Sequence, residues 1–92
     1  MRFTWTETKR RINLAKHGLD FAAAKKVFAG PMVLFEDQRS DYGEQRMIGI
    51  GLLAELVVLV VHVESGAIIH IISMRKADNH ETNLYFQSAG YF

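Results

Sequence analysis

Three apolar runs, MIGIGLL, LVVLVVHVE and AIIHIISMR, follow one another almost without interruption from Met47 to Arg75. Only Ala54-Glu55 and Ser65-Gly66 separate them. Two-residue connections join antiparallel neighbours, because a parallel pair needs a crossover of roughly a dozen residues or more. This stretch therefore predicts an antiparallel meander. Its Val, Leu and Ile are nearly continuous rather than strictly alternating, which predicts strands covered by helices on at least one face. MVLFE, earlier in the chain, reads as a further strand. It is followed by the loop QRSDYG, where Asp41 and Gly43 supply turn chemistry.

The rest of the chain supplies helices. RFTW reads as a short strand, and Thr6 can N-cap a helix over 7–17 with Gly18 as its left-handed C-terminal residue. On that helix Thr8, Ile12, Ala15 and Leu19 form the expected core stripe, with Lys9, Arg10, Lys16 and His17 off it. Asp20 can cap a second helix, FAAAKKVFA, which Gly30-Pro31 stops. Asp78 and Glu81 have capping-box spacing, so a third helix is expected over 79–88. The expected class is α+β in the order β-α-α-β-β-β-β-α, a small antiparallel sheet packed against N-terminal helices with a short C-terminal helix. Residues 81–88, ETNLYFQS, come close to a viral protease site used for removing purification tags; Thr82 interrupts that site, and the tail is read as native.

Composition narrows the setting. Ninety-two residues suit one domain spanning 1–92 with one core, and 49 % hydrophobic with 23 % charged residues is globular rather than disordered. Without cysteine there is neither disulfide nor thiolate metal site. LVVLVV is too short to cross a bilayer, and the basic N-terminus lacks the apolar stretch of a signal peptide. A cytoplasmic protein with no membrane association is expected. Net charge is only +1, but residues 1–30 hold seven cations against two acids and residues 31–64 two cations against six acids. A basic N-terminal third can face phosphates or an acidic partner, or be simply a solvated helix face.

Three blocks, FTWTETKRRINLAKHGLDF, FEDQRSDYGEQR and IISMRKADNHE, together resemble the BrnT-type toxins of bacterial toxin–antitoxin pairs. The most specific pieces are Asn13, Lys16, His17 and Gly18, then Asp41 to Glu44, then Ile72 to Ala77. The resemblance implies a RelE-like fold and a ribonuclease that arrests translation. It also implies neutralisation by a BrnA-type antitoxin, through which alone the pair would reach operator DNA. Thr6 stands where the family more often has an acid, and His70 where an arginine is expected in the last strand.

A ribonuclease that works without metal uses the 2′-OH of its RNA as nucleophile. It must move that proton, stabilise added charge at phosphorus and protonate the departing 5′-oxygen. Arginine suits phosphate through its planar fork. Histidine or a shifted tyrosine can act as base or acid, and on that chemistry together with what the resemblance implies the catalytic candidates are Arg75, Arg46, His70 and Tyr85. Each has a plainer reading: ion pairs with Glu36, Asp37, Asp41 or Glu44 for the arginines, a hydrogen-bonded strand histidine for His70, core packing for Tyr85. Lys9, Arg10, Lys16, His17 and Lys76 are candidates for contact with RNA or a partner. For Lys16 and His17 a helix C-terminus is sufficient explanation, and for Lys76 a solvated flank. The histidines lack a helical or short-loop metal pattern, so no metal and no cofactor are expected. With both turns two residues long, Arg46, Val61, Val63 and His70 share a face of the sheet, and Arg75 falls on the other.

Overall fold

The computed structural model describes residues 1–39 and 41–88. Five strands form one sheet: β1 (Arg2–Thr4), β2 (Met32–Glu36), β3 (Met47–Leu53), β4 (Leu56–Ser65) and β5 (Ile68–Lys76). Their spatial order is β1-β5-β4-β3-β2. The helices are α1 (Glu7–His17), α2 (Ala24–Phe28), which a 3₁₀ turn at Phe21–Ala23 leads into, and α3 (Asn79–Ser88). The α+β class is as expected. The sheet, however, is mixed: β1 pairs with β5 in parallel, Thr4 lying beside His70.

Local chemistry accounts for the boundaries. Thr6 Oγ1 accepts the Lys9 N–H at the start of α1, and Gly18 ends the helix with φ 71°. At α3 the capping box closes from both sides: Glu81 N–H donates to Asp78 at 2.8 Å, and Asp78 N–H donates to Glu81 at 2.9 Å. The β3–β4 turn is Ala54-Glu55, as expected. The β4–β5 turn lies one residue later than expected, at Gly66-Ala67, because Ser65 pairs with Ile68 and Gly66 takes φ 59°. In the strands, Gly49 and Gly51 make room for neighbours. A Cβ at Gly51 would meet Val27 Cγ1 at 2.8 Å, and one at Gly49 would meet Met32 Cε at 2.6 Å.

The sheet is covered on both sides. Val58, Val60, Ile69, Ile71 and Met74 pack against Phe21, Ala24 and Val27 beside α2. Ile48, Ile50, Leu59 and Val61 pack against Tyr85 of α3. The sheet thus sits between two apolar clusters, which explains the near-continuous runs. Of the expected core stripe, Leu19 is buried in the α2-side cluster, but Thr8, Ile12 and Ala15 are exposed. Ile12 is 61 % exposed, and the buried residue of α1 is Asn13. β1 pairs with β5 only as far as His70, so the edge of β5 beyond it needs other partners. Asn13 supplies them at Met74, accepting its N–H at 3.1 Å and donating to its carbonyl at 2.9 Å.

Candidate functional site

An irregularity in β5 decides which side chains meet. His62 pairs with Ile71, but Val61 pairs with Ser73, so Ile72 is an extra residue in the strand. Such a bulge reverses the alternation of faces beyond it. Ile69 and Ile71 lie on the α2 side, which turns His70 to the α3 side. Beyond the bulge Met74 lies on the α2 side, and Arg75, opposite Leu59, joins His70 on the α3 side. The expectation that Arg75 would take the opposite face is therefore corrected.

Arg46 belongs to the same face. Met47, where β3 begins, pairs with His62, and the carbonyl of Arg46 just before it accepts the Asp37 N–H at 2.8 Å, while Val63 pairs with His70. Val63, His70 and Thr4 form one row across the sheet, and continuing the β3–β4 register by one residue would bring Arg46 to its end. Within the row, Thr4 Oγ1 and His70 Nδ1 share a hydrogen bond of 2.9 Å. Nε2 of His70 has no hydrogen bond among the described residues.

The two arginines are held differently. The Arg75 fork is engaged: Nη1 and Nη2 donate to the two carboxylate oxygens of Glu81 at 2.8 Å each. Those bonds push the Arg75 guanidinium above its ordinary range and Glu81 below its own; the positive charge of Arg39 opposes the effect on Arg75. Arg46 is looser. Its guanidinium stacks 4.0 Å above the Tyr42 ring, and Glu44 at 3.8 Å is too far for a hydrogen bond. Arg46 Nε is buried with no hydrogen-bond partner among the described residues. An unmet buried N–H is costly.

The loop that carries Arg46 is fastened by Asp37. Its buried carboxylate accepts Arg39 Nε and Nη2 at 2.7 Å each and the Tyr42 hydroxyl at 3.3 Å. The Arg39 hydrogen bonds hold Asp37 down to about 2. Tyr42 therefore binds Asp37 with its hydroxyl and supports Arg46 with its ring. Thr4, Arg39 and Tyr42 escaped the sequence reading as site residues. Tyr42 lay within the Asp41–Glu44 block; for Thr4 no local signal exists, since parallel pairing over 66 residues places it.

The remaining candidates separate. Tyr85 is fully buried in the α3-side cluster and donates its hydroxyl to the Pro31 carbonyl at 3.0 Å, which is the packing role. Arg10 is tied to Glu7 and Asp20, so it links the start of α1 to the cap of the next turn. Lys76 is exposed at the end of β5. Lys9, Lys16 and His17 line a cleft between α1 and the β5 bulge. His62, by contrast, is buried on the other side of the sheet against Phe28, with Nε2 2.9 Å from Glu64. No three metal-donor side chains converge among the described residues. No helix among them is long and apolar enough to cross a membrane.

The fold as a whole has a counterpart among known structures. The crystal structure of the Brucella abortus ribonuclease toxin BrnT superposes with a TM-score of 0.70 at 32 % identity, covering 86 % of this chain and 99 % of that one. Curated protein sequences gave no match. The family model of the ribonuclease toxin BrnT of type II toxin–antitoxin systems matches residues 5–81, and the chain belongs to that family.

Proposed function

We propose that this chain is a metal-independent endoribonuclease with a RelE-like fold, which cuts RNA, arrests translation and is silenced by a BrnA-type antitoxin. The observation that carries this reading is the row joining Arg46 to His70, with an unmet N–H at one end and a hydroxyl-held imidazole at the other. In the proposed reaction Arg46 holds non-bridging phosphate oxygens. His70 moves the proton: the 2′-oxygen bonds to phosphorus, the bond to the 5′-oxygen breaks, and the proton leaving the 2′-OH is replaced on the 5′-oxygen. The products are a 2′,3′-cyclic phosphate and a 5′-hydroxyl. Arg75 completes the positive face once phosphate competes with Glu81. The antitoxin, through its own DNA-binding part, would connect the pair to operator DNA.

The test is cleavage of RNA by purified chain in excess chelator, with expression in the absence of antitoxin as its cellular counterpart. Cleavage that is largely lost in folded His70→Ala and Arg46→Ala, and growth arrest relieved by antitoxin, are expected. The engaged Arg75 fork favours one alternative, a weakly or non-catalytic protein-binding module that holds an antitoxin and tunes operon repression. Antitoxin binding without cleavage or arrest would establish that alternative and remove the first.

A further inference from the structure

The bulge that turns Arg75 also opens a cleft. Ile72 and Ser73, two consecutive residues of β5, face Lys9, Ile12, Lys16 and His17 of α1 across a space of about 320 Å³. Asn13 also lines it, but its amide is used by Met74 and Leu19. No acidic residue lines the cleft. Neither Lys9 nor Lys16 pairs with a carboxylate among the described residues, whereas Arg10 on the same helix pairs with two. The floor is apolar: Ile72 belongs to the α3-side cluster, and Ile12 leaves 61 % of its surface to solvent.

Resting on the RNA reading above, we propose that this cleft seats one nucleotide of the RNA strand next to the bond that is cut. Ile72 and Ser73 lie in β5 between His70 and Arg75, and Ile72 packs on the α3 side that those two share, so the cleft adjoins the candidate site along the strand. Its volume is at the small end of ligand pockets, the scale of a single base rather than a helix. Single-stranded RNA presents base faces flanked by phosphates. Ile12 and Ile72 offer apolar contact to a base face, and Lys9 and Lys16, two helical turns apart, offer charge to the phosphates on either side. Aliphatic walls discriminate weakly among bases, so this subsite tolerates sequence, with the Ser73 hydroxyl and the His17 ring as further polar contacts.

The test is binding of a short mixed-sequence oligonucleotide with 2′-O-methyl riboses, which cannot be cut, followed by fluorescence anisotropy over a salt series. Lys9→Gln with Lys16→Gln is expected to lower the salt slope by about 1.4, two phosphates at about 0.7 each. Ile12→Ser is expected to weaken binding severalfold with the slope unchanged, and Arg11→Gln, outside the cleft, to leave affinity within about twofold. All four positions are exposed residues of α1, and thermal melts verify folding. Wild-type binding with unchanged slope and affinity in the cleft variants overturns the cleft assignment alone. No binding by wild type overturns the RNA reading and the cleft with it. Variants that bind the oligonucleotide normally but lose co-purifying antitoxin make the cleft a protein-docking surface and end the proposal.

Discussion

Arg75 and Glu81 face each other fork to fork, with both nitrogen–oxygen distances at 2.8 Å. Glu81 is shared, since one of its oxygens also accepts the Asp78 N–H that opens α3. The strand-end arginine and the helix start are thus one assembly, and in the proposed reaction a phosphate would have to compete with a carboxylate for the arginine. Glu81→Gln keeps an acceptor for the cap and removes the competing charge. It is expected to lower KM for RNA severalfold while costing about 1 kcal/mol of stability. Steady-state cleavage and thermal melts check this. A loss of kcat equal to that of Arg75→Ala would show instead that the ion pair itself is required.

Asp37 should make the site loop sensitive to acid. Its folded-state value is depressed to about 2 by Arg39, so its contribution is present above the ordinary carboxylate range and disappears as pH falls from about 4 through about 2. Because Arg39 is 61 % exposed, solvent screening holds the contribution to at most about 2 kcal/mol. Asp37→Asn should therefore lose stability at neutral pH and match wild type near pH 2. It should also release Tyr42 from beneath Arg46. Denaturation midpoints across pH test the first part, and a constant difference between the two proteins at every pH would refute it.

Much of this architecture is legible in the chain because its signals are local. Thr6, Gly18, Asp78 and Glu81 mark helix ends by hydrogen bonds within a few residues, and Ala54-Glu55 fixes one hairpin by its length. The site is less legible because it depends on two nonlocal facts. The bulge falls within IIHIISM, which has neither Gly nor Pro to mark it, and one extra residue moves Arg75 to the other face. The parallel pairing of β1 brings Thr4 to His70 across most of the chain. Within α1 the apolar spacing misplaces Ile12 and Ala15, though not Leu19 beyond the helix end, for a related reason. The helix lies along an incompletely paired strand, where a buried amide satisfies more than an isoleucine would.

That amide is open to test. Asn13 meets the N–H and carbonyl of Met74 and the carbonyl of Leu19, all within 3.1 Å. Asn13→Ala leaves those backbone groups without their partner at a buried position, and a loss of about 2–3 kcal/mol is expected. Asn13→Asp should be at least as harmful, because a carboxylate would face two carbonyl oxygens. Chemical denaturation measures both. A loss below about 0.5 kcal/mol for the alanine variant would mean that water replaces the amide and that the edge needs no cover.

The Thr4–His70 hydrogen bond bears most directly on chemistry. A carbonyl or carboxylate at Nδ1 would commit the ring to one tautomer, whereas a hydroxyl both donates and accepts. Thr4 can therefore hold the ring in place while Nε2 gains or loses a proton, which suits a group that must do each in one turnover. Thr4→Val preserves the β-branched shape that pairs with β5 and removes only the hydroxyl. It should reduce kcat about tenfold, equivalent to about 1.4 kcal/mol at the transition state, and displace the pH–rate profile, with KM little changed. Thr4→Ser should restore both rate and profile. Nitrogen chemical shifts of the His70 ring would show a changed tautomer balance in Thr4→Val. An unaltered profile and ring spectrum in that variant, with His70→Ala still inactive, would leave His70 in its role and remove Thr4 from it.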